Sequence, residues 1–116
     1  SITDNDELSG LIARMMHADT LILLSNIDGI YTGLPEDPAS QLICTVESGT
    51  DLSQYIQTEK SAFGRGVMHS KYTTASDVSK AGIRVIIANG ERDNILVDLI
   101  EKPQTTPHTE FKPNLS

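Results

Sequence analysis

Apolar residues recur at Leu8, Leu11, Ile12, Met15 and Met16, the spacing of one helix face. The polar run Asp4-Asn5-Asp6-Glu7 precedes them. Asp4 or Asn5 suits an N-cap, and acids in the first turn face the positive end of the helix dipole. Thr20 then leads into Leu21 to Leu24, a wholly apolar run too short for a helix and followed by the turn signal Asp28-Gly29. This reads as a buried parallel strand. Residues 31 to 40 hold Gly33, Pro35 and Pro38 and form a loop. Leu42 to Val46 suits a short strand and Leu52 to Ile56 a weak helix. Ser61 to Gly66 is glycine-rich and flexible. Met68, Tyr72, Ala75 and Val78 mark a second helix face, ending at Ala81-Gly82, where Gly82 fits the C-cap. Ile83 to Ala88 is another buried strand, closed by the turn Asn89-Gly90. Asn94 to Ile100 is a short helix with Ile95, Leu96, Leu99 and Ile100 facing inward. Pro103 to Ser116 is rich in Pro and Thr and reads as a partly mobile tail, with Thr109 to Phe111 as an edge strand.

Strands alternating with helices predict an α/β fold, a mostly parallel sheet flanked by helices. Residues 1–102 are the folded unit and 103–116 its C-terminal tail. A helix comes first, with no strand before it, so the chain reads as the second half of a larger domain. The sheet of such a half ends in an open strand edge, and self-association through that edge is expected.

Composition narrows the function classes. The 116 residues are 38% hydrophobic but only 4% aromatic, with no Trp, so the core must rest on Leu, Ile, Val, Ala and Met. Sixteen acids against nine bases give a net charge of −7. That balance opposes binding to nucleic acid or to an anionic membrane. Apolar runs are too short for a membrane-spanning helix. Cys44 is the only cysteine, which excludes an internal disulfide framework and a Cys-rich zinc module. It reads as a small core hydrophobe in a cytoplasmic protein. His17, His69 and His108 lack metal-ligand spacing.

Open α/β sheets bind ligands outside the carboxyl ends of their strands. Two loops qualify by position, Ser25 to Tyr31 and Asn89 to Asp93. The Gly64-Arg65-Gly66 segment opens the helix at Met68, an arrangement that can bind an anion, although the Walker A pattern is absent. It reads equally as a surface loop. Asp4 and Asp6 are either helix caps or carboxylates that orient a lysine or a metal-bound phosphate. Asn5 is a cap or a ligand for a polar substrate. Lys71 is a solvated surface lysine or a phosphate contact. Met15 and Met16 read as core residues.

Four segments taken together carry a resemblance. Asp4-Asn5-Asp6-Glu7-Leu8-Ser9 resembles the pattern Asp-Asn-Asp-x-Leu-Ser/Ala. Leu23 to Thr32 resembles Leu-Leu-Thr/Ser-Asp-x-Asp/Glu-Gly-Leu-Tyr-Thr. Gly64 to Lys71 resembles Gly-Thr/Arg-Gly-Gly-Met-x-Thr-Lys. Ala81-Gly82-Ile83 with Ile87-Ala88-Asn89-Gly90 resembles Ala-Gly-Ile/Val followed by Ile-Ala-x-Gly. In order and spacing they are similar to the glutamate 5-kinase family of the amino-acid kinase superfamily, over residues 3 to 102. The resemblance implies part of an amino-acid kinase domain, its C-terminal, nucleotide-binding half. It implies transfer of the ATP γ-phosphoryl group to the side-chain carboxylate of L-glutamate in proline biosynthesis, with ATP and Mg²⁺. Asn5 then matches a glutamate-binding position and Asp4 a neighbouring acid. Asp6 matches the carboxylate that organises catalytic lysines. Ser25 and Asn26 match a nucleotide-binding pair. Arg65, Gly66, Val67, Met68, His69, Ser70 and Lys71 match the nucleotide-binding segment, Lys71 as the phosphate contact.

Three departures stand out. Asn26 occupies a position the family usually gives to Asp. Val67 replaces the second Gly of Gly-Gly-Met, and a β-branched residue there would distort a loop that needs positive φ. The family's N-terminal half, with its glycine-rich loop and a phosphate-contacting lysine, has no counterpart. The isolated chain is therefore expected to be inactive, needing that half or a second copy. A non-catalytic α/β interaction or regulatory module derived from the kinase fold is the alternative.

Overall fold

The computed structural model describes residues 5–56 and 67–115. In chain order the elements are α1 (Asn5–Met15), β1 (Thr20–Ser25), β2 (Thr45–Val46), α2 (Val67–Lys80), β3 (Arg84–Asn89), α3 (Ile95–Glu101), a 3-10 turn (Pro103–Thr105) and β4 (Thr109–Phe111). Residues 53–56 form one further helical turn. The strands make one sheet in the order β1-β3-β4-β2. β1 and β3 pair in parallel from Thr20↔Arg84 to Ser25↔Asn89. β2 and β4 are also parallel, whereas β3 and β4 are antiparallel. The α/β class and the mostly parallel sheet hold, with one antiparallel junction.

β3 explains the core. Val85, Ile86, Ile87 and Ala88 are all buried, the run expected of a strand covered on both faces. Alternation sends Val85 and Ile87 to one side, where they meet Ala13 of α1 and Met68, Ala75 and Val78 of α2. Ile86 and Ala88 go to the other, against Ile22, Ile95 and Leu99. Helices thus flank the sheet on both faces. α2 ends as expected: Gly82 takes φ +95°, and the N–H groups of Gly82 and Ile83 close back on Ser79 and Val78.

Five expectations need correction. β1 is not a buried strand: it lies at the sheet's edge, only Leu23 of its apolar run is buried, and Leu24 is exposed. β4 is not an edge strand; it lies between β3 and β2, and strand order in space is not readable from order in sequence. The apolar stripe of α1 is not core. α1 packs through its small residues, Gly10 and Ala13, and Gly10 sits so close to Thr74 and Val78 that a Cβ would touch both. Leu8, Leu11, Ile12, Met15 and Met16 therefore lie exposed, Met15 and Met16 the most at 69% and 73%. Of the α3 quartet only Ile95 and Leu99 face inward, because a two-turn helix buries one i, i+4 pair; Leu96 and Ile100 are exposed. Cys44 is exposed too, one residue before the short edge strand β2.

Candidate functional site

α1 returns through residues 16–19 into β1, and α2 returns through 81–83 into β3. Each helix runs back along the sheet before its strand begins. The N-termini of α1 and α2 therefore lie at the same end as the carboxyl ends of β1 and β3. Asn5, Asp6, Ser70 and Lys71 come to that end from the helices, and Ser25, Asn26 and Asn89 from the strands.

The helices meet through a polar contact. Lys71 Nζ donates to Asp6 Oδ2 at 3.1 Å, and Ser70 Oγ donates to the same oxygen at 3.2 Å. The Lys71 side chain is 11% exposed and that of Asp6 18%. Lys71 is thus no solvated surface lysine. A charge so covered needs a partner, and Asp6 supplies it from 65 residues away. An ammonium has three donors, and Asp6 accepts one; the group retains the capacity to face an anion. Asn5 is exposed beside Asp6. His69 is exposed, while the Met68 side chain is buried at 3% in the core, which leaves only its backbone for a ligand. Val67 opens α2 in helical conformation, so the left-handed backbone that would reject a β-branched residue is not used there. Asp4, Arg65 and Gly66 lie outside the described residues.

At the end of β1 the Ser25 hydroxyl is buried with no hydrogen-bond partner among the described residues. Buried polar atoms are nearly always paired, and an orphan marks a place where a ligand or water completes the bonding. Asn26 follows it, exposed.

Sequence reasoning missed what holds these loops. Arg92 Nε donates to Asp28 Oδ1 at 2.7 Å and Nη2 to Oδ2 at 2.8 Å, a forked bond between the two strand-end loops. The Tyr31 hydroxyl reaches the same carboxylate at 3.4 Å. The bond from Arg92 holds the Asp28 carboxyl below the usual carboxylate range, against a smaller opposing effect of burial. Burial first, and then the Asp28 charge, raise the Tyr31 phenol. Behind the loop, Thr109 is fully buried; its Oγ1 accepts from the Ile30 N–H at 3.0 Å and donates to the Ile43 carbonyl at 2.7 Å. A Cβ on Gly29 would collide with that hydroxyl, which is why glycine stands there. The available signal was positional: two loops leaving neighbouring parallel strands must run side by side.

Among the described residues no group of three His, Cys, Asp or Glu side chains could hold a metal ion. No helix among the described residues is long and apolar enough to cross a membrane.

Known proteins resemble this chain in sequence and in fold. The chain is 62% identical over 112 residues to a glutamate 5-kinase of Bacteroides thetaiotaomicron, a match covering 97% of this chain and 31% of that protein. It is 42% identical over 98 residues to a delta-1-pyrroline-5-carboxylate synthase of Mesembryanthemum crystallinum, covering 84% of this chain and 14% of that one. The chain thus spans less than a third of the length of these curated relatives. Among solved structures, carbamate kinase from Giardia lamblia bound to AMP-PNP superimposes with a TM-score of 0.63 at 20% identity, over 94% of this chain and 35% of that one. UMP kinase from Ureaplasma parvum gives 0.61 at 16% identity, over 92% and 41%. These two speak to the fold alone. The model of the amino acid kinase family matches residues 1–89, more than half of the chain, and the chain belongs to that family.

Proposed function

We propose that this chain is the nucleotide-binding part of a glutamate 5-kinase, an enzyme of proline biosynthesis that moves the ATP γ-phosphoryl group to the side-chain carboxylate of L-glutamate. The identity to glutamate 5-kinases over nearly the whole chain supports the substrate pair. The observation that carries the reading is the covered Lys71–Asp6 pair, assembled at the strand-end edge that also holds the unpartnered Ser25 hydroxyl.

The chemistry asks little of a general base. Glutamate's carboxylate is already ionised, so an oxygen attacks the γ-phosphorus, the bond to the ADP oxygen breaks, and ADP leaves with the electron pair. Catalysis is then positioning and charge neutralisation. Lys71 neutralises phosphate charge, and Asp6 holds the ammonium in place. Ser25 and Asn26 hydrogen-bond the nucleotide, Asn5 binds glutamate, and Asp4 is the neighbouring acid. By resemblance, Arg65 to Lys71 is the nucleotide-binding segment. Mg²⁺ is assigned to no described residue, since Asp6 and Asp28 are each paired with a cation; it would come as part of the MgATP substrate and would supply charge neutralisation.

The isolated chain is expected to bind ATP and not to turn over, because the family's other half carries further phosphate contacts and much of the glutamate pocket. A coupled ADP-release assay tests this: glutamate-dependent turnover by this chain alone contradicts it. The alternative, a non-catalytic module, rests on Val67 and Asn26; the helical backbone at Val67 speaks against a strained backbone there.

A further inference from the structure

β1 and β3 end level. Ser25 pairs with Asn89, and the Gly90 N–H donates to the Ser25 carbonyl at 2.8 Å. Beyond that point the two chains leave the sheet as loops, and the Arg92–Asp28 fork ties them together across 64 residues. The carboxylate is 15% exposed and accepts from both guanidinium nitrogens, a planar match that fixes orientation as well as distance. One residue further on, the loop is pinned again, where Gly29 lies on Thr109 and the Ile30 N–H is bonded to its hydroxyl. Ser25 closes the ladder, and Asn26 follows it before these two pins. Ser25 has a buried hydroxyl without a partner among the described residues.

We propose that the Asp28–Arg92 pair is a positioning device for the nucleotide site, holding the 25–31 loop against the 89–93 loop so that Ser25 and Asn26 are preorganised for ATP. This inference rests on the nucleotide reading above. Neither residue needs to touch the ligand: a loop already fixed in its bound shape loses less freedom on binding, and that difference appears as affinity.

Charge alone makes a different prediction, which makes the idea testable. Removing Asp28 takes an acid away from an anion site and leaves Arg92 as a free cation, so on charge grounds Asp28→Ala should tighten ATP binding. Positioning requires that Asp28→Ala and Arg92→Ala both weaken it. It also requires that the double variant be no worse than the weaker single one, since each residue acts through the other. Arg92→Lys keeps the charge, loses the fork and should weaken binding as well.

The experiment is calorimetric titration of the chain and these variants with MgATP, with amide hydrogen exchange of residues 26–30 recorded without ligand. The expected result is a roughly fivefold loss of ATP affinity in either single variant, the size of one such ion pair. Exchange of the loop amides should be faster, with β3 amides as protected as in the parent. Tighter or equal ATP binding by Asp28→Ala overturns the proposal, and so does unchanged loop exchange in both variants. Equal loss of protection in β3 overturns it too, since the pair would then be a general stabiliser. If the parent chain shows no saturable ATP binding, the nucleotide reading falls and this role falls with it. Failure of the positioning role alone leaves the parent's ATP binding intact.

Discussion

Thr109→Val tests the polar pin behind the candidate site. Valine copies the shape of threonine, so packing is preserved and only the hydroxyl is removed. That hydroxyl serves two backbone groups in a place with no solvent exposure, the Ile30 N–H at 3.0 Å and the Ile43 carbonyl at 2.7 Å. The same two residues are joined by a backbone bond from the Ile43 N–H to the Ile30 carbonyl at 2.8 Å, so the side chain completes a small closed network. Stranding a buried donor costs about 1–3 kcal/mol, and losing the bond to the carbonyl adds about 0.5–1.5. The sum, about 2–4 kcal/mol, lowers the melting temperature by roughly 10 °C in a domain of this size. Thr109→Ser is the control. It keeps both bonds and loses one methyl, worth about 1 kcal/mol. Urea denaturation of parent, Ser and Val variants gives the order, with unchanged slopes confirming that only stability has moved. Parent above Ser above Val is the expected ranking. A Val variant as stable as the Ser variant would refute the reasoning that the hydroxyl, and not the methyl, holds this loop.

Gly82→Ala should cost about 1–2 kcal/mol, because φ is +95° there and the penalty is one of backbone conformation, not of space; denaturation midpoints check it. The bond from Arg92 holds the folded-state pKa of Asp28 below the ordinary aspartate value, so the stability it contributes is present above the unfolded value and is lost as pH falls through the folded one. Arg92→Ala should therefore move the midpoint of acid unfolding, followed by circular dichroism, to higher pH. β1 ends the sheet on one side, and the apolar face of α1 beside it is exposed. Concentration-dependent self-association is expected in sedimentation, and a monomer at every concentration would contradict it.

Periodic segments declared themselves. β1, β3 and α2 were legible as elements because short apolar runs, helical spacing and a C-terminal glycine reported them, consistent with local and global preference agreeing. Surroundings were less legible. The stripe Leu8 to Met16 forecasts a helix correctly but says nothing of what covers it, and here α1 turns Gly10 and Ala13 inward instead. Thr109 to Phe111 was visible as a strand, yet its place inside the sheet depends on pairings with β2 and β3 that no local pattern encodes. The site divides in the same way. Asp6, Ser25 and Lys71 were singled out by motif resemblance, and their spacing alone left Lys71 a solvated residue. That Asp6 and Lys71 touch follows from the helices packing side by side at Gly10, a contact set by the absence of a side chain. Asp28 falls at the Asp/Glu position of the Leu23 to Thr32 motif, whereas Arg92 carried no motif. Asp28 read as a turn residue, Arg92 lay unremarked within the loop Asn89 to Asp93, and only the parallel register of β1 and β3 brings them together.

The central claim is that the strand-end edge of this chain binds ATP, with Lys71 as a phosphate contact. The most direct test is the thermal shift of the chain with MgATP, beside a Lys71→Ala variant. A ligand that binds only the folded state stabilises it by about 2.7 kcal/mol at a hundredfold excess over its dissociation constant. The account predicts a saturable upward shift in the parent that is lost in Lys71→Ala. No shift in a cooperatively melting parent, or an equal shift in both proteins, would contradict it.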